Sequence, residues 1–143
     1  MDQRQVDLVR ASFARLPQDI EAVGMLFYAV LFKIDPELRP LFKGDLNRQS
    51  ELLLTMIATA VDNLDRLDLV LTAVQDLGRR HAGYGVKDVD YDTVETALLL
   101  TLAQALGSEF TSEVRQAWIA CYRTLAEVMK MAASEPSRQA QAA

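Results

Sequence analysis

A single histidine, His81, occurs in the 143 residues, in the run Leu77-Gly78-Arg79-Arg80-His81-Ala82-Gly83-Tyr84-Gly85-Val86. Imidazole changes charge near neutral pH and is the commonest side-chain metal ligand. There is no second histidine, and Cys121 is the only cysteine. Zinc or iron–sulfur ligation by this chain alone is therefore excluded in practice, as is an intrachain disulfide. Two chemistries remain for His81: a hydrogen-bonded core residue, or one ligand to an iron. Two more polar groups, the Tyr28 phenol and the Gln49 amide, fall on otherwise apolar helix faces. Burying such a group without a partner costs on the order of 1–3 kcal/mol. Each is satisfied locally, by a backbone carbonyl or a water, or the two share one polar spot. Cys121 reads as a small packing residue.

The elements that must position these groups are helices throughout. Half the residues are hydrophobic and 24% are charged, which suits one soluble domain with a single core. The net charge is −5 and no basic patch alternates with aromatics, so nucleic acid is not an expected partner. The apolar runs Ala22 to Phe32 and Ala97 to Leu100 are too short to span a bilayer. Met1-Asp2-Gln3-Arg4 has no apolar signal core, and a cytoplasmic location is expected.

Helices are predicted over 3–16 and 18–34, followed by a short restart at Asp35-Pro36-Glu37 that ends near Pro40-Leu41-Phe42. Asp45 is placed to cap a helix reaching Leu64, and another runs from 67 to His81 or Ala82, stopped by Gly83 and Gly85. The last two run from near Asp90 to Leu106-Gly107, and from after Thr111 to about Ala132. No segment alternates with period two, so the chain reads as a single all-α domain over 1–133 with a polar, disordered tail over 134–143. Helical spacing puts Gln49, Leu53, Met56, Ile57, Ala60, Val61 and Leu64 on one inner stripe. Gly24, Phe27, Tyr28 and Leu31 share a second, and the small residues Gly24 and Ser50 suggest a close helix crossing. Val70, Ala73, Val74, Leu77 and Gly78 form a third, which His81 continues inward.

Several short blocks then line up in order: Leu26-Phe27-Tyr28 with Leu31-Phe32, Asp35-Pro36-Glu37-Leu38, Pro40-Leu41-Phe42, and Gln49 with Leu53. The His81 block, Tyr91 to Leu102, Leu106-Gly107 with Phe110-Thr111, and Ala117-Trp118 with Tyr122 complete them. With these blocks in this order the chain resembles the globins, in particular bacterial single-domain haemoglobins of the full-length, flavohaemoglobin-related kind. The resemblance implies a globin fold, a three-on-three helical sandwich around haem b. It makes His81 the proximal iron ligand, with its other ring nitrogen on a carbonyl near Leu77. Phe42 stacks on the porphyrin, and Leu53, Leu77, Val86, Tyr91, Val94, Leu98, Tyr122 and Leu125 match haem-wall positions. Arg80, Arg48 and Lys43 are candidates to meet the propionates, Arg80 foremost. On the distal side no histidine is left to place, and Tyr28, Gln49 and Leu53 face the gas ligand instead.

A phenol and an amide aimed at dioxygen each contribute about 1–2 kcal/mol, which implies tight binding and slow release. Carbon monoxide and nitric oxide fit the same pocket. Flavohaemoglobins convert nitric oxide and oxygen to nitrate and re-reduce their iron through a flavin module; this chain would need an external reductase. Their glutamate behind the proximal histidine falls on Ala133 or its neighbour, while Tyr91 matches the accompanying tyrosine. Oxygen binding, storage or nitric-oxide scavenging is thus the leading expectation. Nitrite reduction in the same pocket, a gas sensor acting through a partner protein and a haem-free binding module are the alternatives. A monomer or weak homodimer is expected.

Overall fold

Where the sequence carries caps, the computed structural model starts its helices there; it describes residues 1–135. The expected tail falls outside the described residues except for Ser134, the last helical residue, and Glu135. Helix α1 spans Gln3–Ala14 and opens on a capping box, in which Asp2 and Gln5 each bond the other's backbone amide. Helix α2, Ile20–Ile34, starts two residues later than predicted because the Asp19 carboxylate accepts from the Ala22 amide. The restart at Pro36–Leu41 is a 3-10 helix, held by Asp35 on the Glu37 amide. Asp45 caps α3, Leu46–Asp62.

The predicted helix from 67 is two pieces, a 3-10 turn at Leu67–Leu69 and then α4, Leu71–Gly83, which has no side-chain cap. Helix α5 is Asp88–Leu106, where Asp90 accepts from the Lys87 amide. It stops at Gly107, whose φ of +59° is open to glycine. Thr111 caps α6, Ser112–Ser134. No strand occurs among the described residues, and none of the described helices is long and apolar enough to cross a membrane.

Two glycines decide how the helices cross. A β-carbon at Gly24 would lie 2.5 Å from the Ser50 Cβ, so α2 and α3 touch at the small pair the sequence singled out. A β-carbon at Gly78 would lie 2.6 Å from the Met129 Cα, and this seats α4 against the backbone of α6. Helices α3 and α4 follow one another in the chain but pack on different partners, α3 on α2 and α4 on α6. The two helices thus contribute to two separate hydrophobic clusters. In the largest cluster, Val9, Leu102 and Trp118 centre a core between α1, α5 and α6. The Trp118 indole donates to Ser12 Oγ at 2.9 Å, which in turn donates to the Leu8 carbonyl at 2.7 Å.

Candidate functional site

His81 lies in the last turn of α4, half-buried, with Nδ1 2.8 Å from the Leu77 carbonyl oxygen. A carbonyl only accepts, so Nδ1 carries the proton and Nε2 keeps its lone pair. Burial lowers the imidazole pKa; the Leu77 bond raises it and the nearby Arg80 charge lowers it further. Burial wins, and His81 stands as a neutral base. Leu77 of the same helix packs with Val74, Val86 and Tyr122 on buried Tyr91, Ala126 and Met129. The Tyr122 phenol donates to the Tyr91 carbonyl at 2.7 Å and clamps α6 to α5. Burial raises the pKa of both phenols, so both keep their protons.

The Tyr91 hydroxyl is buried with no hydrogen-bond partner among the described residues. Ala133, at the position expected to correspond to the flavohaemoglobin glutamate, has no side-chain acceptor to offer it. The nearby acid Glu135 turns instead to Arg79, at 3.7 Å. His81 is therefore held by a carbonyl, and no carboxylate bonds its ring among the described residues.

A second cluster comes from α2, the 3-10 helix and α3, with Val94, Ala97 and Leu98 of α5. Tyr28 is 3% exposed and sits among aromatic rings, 5.1 Å from Phe27, 5.1 Å from Phe42 and 5.9 Å from Phe32, centroid to centroid. Leu53, Val94 and Leu98 belong to the same cluster. Burial raises the Tyr28 pKa and the Gln49 side chain draws it partly back, which puts the phenol and the amide side by side. The phenol remains an O–H donor across the physiological range.

One sequence expectation, that of the inner stripes, needs correction. Gln49 does not head a buried face: its side chain is exposed, as are Met56 and Ala73 from the predicted inner stripes. The residues of α3 turned fully inward are Ser50, Leu54 and Val61, one position on from Gln49, Leu53 and Ala60. A stripe read from spacing is wide enough to hold two neighbouring lines, and the Gly24–Ser50 contact selects which of them is buried. Leu125 packs with the largest cluster, that of Val9 and Trp118. Arg80, Arg48 and Lys43 are exposed and form no ion pair among the described residues. The sequence reading did not assign a site role to Phe32, which stacks on Tyr28; the signal was its place one turn later on the same face.

The family model for globins matches residues 26–129, from the start of the Tyr28 block to the end of the α6 contact with Gly78. The chain is a globin. A flavohemoprotein from Oceanobacillus iheyensis is 27% identical over 131 residues, covering 90% of this chain and 32% of its own length. The chain thus spans about a third of the flavohemoproteins it matches. A neuroglobin from Dissostichus mawsoni is 30% identical, with 90% of each chain covered. Among solved structures, an engineered carbene transferase from Rhodothermus marinus, a protein assigned as a nitric oxide dioxygenase, superposes with a TM-score of 0.85. It is 27% identical, with 94% of each chain covered.

Globins hold a haem, and the residues of this globin fit one. Its two apolar clusters carry half-buried Phe42, Leu53, Leu77, Val86, Val94, Leu98 and Tyr122, suited to an apolar disc. His81 offers Nε2, the nitrogen not engaged by Leu77, as an axial base.

Proposed function

We propose that this globin holds haem b on His81 Nε2 and binds a diatomic gas, dioxygen above all, on the face that carries Tyr28 and Gln49. It then stores the gas, or uses it to scavenge nitric oxide with electrons supplied by a separate reductase. The observation that carries the reading is the His81–Leu77 bond. It spends Nδ1 on a carbonyl and so selects, for the imidazole that burial favours as neutral, the tautomer that can ligate through Nε2. When bound, haem would supply a ferrous iron able to take dioxygen, carbon monoxide or nitric oxide.

The chain's own residues set what happens to the gas. The Tyr28 phenol, kept protonated by burial, donates a hydrogen bond to a gas molecule that gathers negative charge; Gln49, at the exposed edge, adds a weaker one. Phe42, Leu53 and Leu98 exclude water around them. On the side of His81, no carboxylate bonds the ring and the Tyr91 hydroxyl has no acceptor among the described residues. The imidazole therefore pushes little electron density, which favours holding the gas over fast turnover. The flavohemoprotein relatives and the Rhodothermus marinus protein support the nitric-oxide branch of the reading. A cytoplasmic location goes with it.

Absorption spectra of the ferric, dithionite-reduced and oxygenated protein test the proposal. A five-coordinate ferrous spectrum that gives a long-lived oxygenated form is expected. A colourless protein that takes up no added haemin overturns it. Nitric-oxide consumption, with and without an added reductase, then separates scavenging from storage.

A further inference from the structure

Three aromatic rings close a triangle where α2 meets the 3-10 helix. Tyr28 and Phe32 stack at 5.9 Å, Phe42 meets Tyr28 edge-on at 5.1 Å, and Phe32 meets Phe42 edge-on at 5.5 Å. Phe32 and Phe42 are half-buried at the rim, and only Tyr28 is fully enclosed. Arg39, exposed on the 3-10 helix, engages both rim residues at once. Its guanidinium lies 5.5 Å from the Phe32 ring centroid, and Nη1 donates to the Phe42 carbonyl oxygen at 2.7 Å. The Phe42 amide donates back to the Arg39 carbonyl at 3.1 Å, so the two residues are tied in both directions.

A guanidinium can serve both contacts because it is planar: its face is drawn to the ring while its edge donates to a carbonyl. Arg39 forms no ion pair among the described residues, so neither contact competes there with a carboxylate. Tyr28 touches three rings, those of Phe27, Phe32 and Phe42, and Arg39 holds two of them. Freed from Arg39, Phe32 can turn outward and Tyr28 loses its stacked partner. On the reading that Tyr28 faces the gas, as proposed above, we propose that Arg39 is a positioning residue. From the surface it locks Phe32 and Phe42 against Tyr28, and through those two rings it fixes the direction in which the Tyr28 hydroxyl donates.

The test compares Arg39→Ala, Tyr28→Phe and the two substitutions together in the haem-loaded protein. One readout is the infrared stretching band of carbon monoxide on the ferrous protein; the other is the rate of oxygen release. A hydrogen-bond donor beside carbon monoxide lowers its stretching frequency, so Tyr28→Phe should raise it. Arg39→Ala should move the band in the same direction and speed oxygen release roughly two- to fivefold, the worth of one exposed cation over a ring. In the Tyr28→Phe background, Arg39→Ala should change neither readout, because the two residues act as one unit. Lys33→Ala removes a neighbouring exposed cation that lies over no ring among the described residues, and should match the wild type. A merely structural Arg39 would lower the unfolding midpoint and leave the band in place.

An unmoved band in Arg39→Ala, an undiminished effect in the Tyr28→Phe background, or an equal change in Lys33→Ala overturns the positioning role. Where Tyr28→Phe still shifts the band, the gas-binding reading stands and only the role of Arg39 falls. A band unmoved by Tyr28→Phe itself, or a protein that takes up no haem, overturns both.

Discussion

His81 and Tyr28 divide the chemistry between one base and one donor, and each is tuned by what buries it. His81 has its pKa lowered and its Nδ1 fixed on Leu77, so under the proposed function it would ligate as a neutral imidazole with one free nitrogen. His81→Gly removes that ligand without adding bulk. The purified variant should lack stable haem absorbance, and millimolar imidazole in the buffer should restore much of it. Haem content equal to the wild type would remove His81 from the site. Tyr28 is tuned the other way: burial raises its pKa above the ordinary value of 10.0, so the phenol holds its proton until well into alkaline pH. Oxygen release should consequently be flat from about pH 6 to 9, the range in which an unperturbed phenol also stays protonated. Tyr28→Phe should speed release about tenfold, the equivalent of one hydrogen bond of roughly 1–1.5 kcal/mol. Gln49→Leu should do less, because the amide is exposed and shares its hydrogen-bonding capacity with solvent. Stopped-flow replacement of oxygen by carbon monoxide measures all three.

At the scale of elements, the site depends on two helix crossings made possible by glycine. Gly24 lets α2 lie on α3 at Ser50, and Gly78 lets α4 lie on the backbone of α6 at Met129. An added methyl at either must push the helices apart, a strain of about 1–3 kcal/mol. The two substitutions should nevertheless be separable. Gly24→Ala shifts the helix that carries Tyr28 and should mainly alter gas release. Gly78→Ala displaces the helix that carries His81, three residues on, and should weaken haem retention as well as stability. Thermal unfolding combined with transfer of haem to a competing globin checks both; Gly78→Ala retaining haem as the wild type does would show that α4 can slide without moving its last turn.

For the whole molecule, stability resides mostly in the largest hydrophobic cluster. The α1, α5 and α6 core is centred on Trp118, which is 2% exposed and tied to Ser12. Trp118→Ala should cost about 3–5 kcal/mol, since it leaves a large cavity and takes from Ser12 Oγ its indole donor. The apoprotein should show the loss as a lowered denaturation midpoint. Surface ion pairs contribute far less: Arg4 with Glu113 and Arg123 with Glu95 are both largely exposed on the arginine side, where screening leaves such pairs worth little. Cys121 adds packing and no reactivity, because burial pushes its thiol up to about 12.

Local pattern in the sequence determined a good deal of this. Asp35, Asp45 and Thr111 announced helix starts because a short acceptor side chain satisfies amides only a few residues away. Gly24 and Ser50 announced a crossing because backbones approach closely only where side chains are small. His81 was legible as inward-pointing because it continues the stripe through Leu77 and Gly78. What spacing could not supply was the rotation of α3. Gln49 and Ser50 are neighbours in sequence and lie on adjacent lines of one helix, and only the packing against α2 puts Ser50 inside and leaves Gln49 at the edge. Nor could spacing show that Tyr91 lacks a partner, that Leu125 belongs to the Trp118 core, or that Gly85 comes to rest on Leu41. Each of those is a meeting of distant segments, and such meetings are set by how whole helices pack, which no short stretch of sequence encodes.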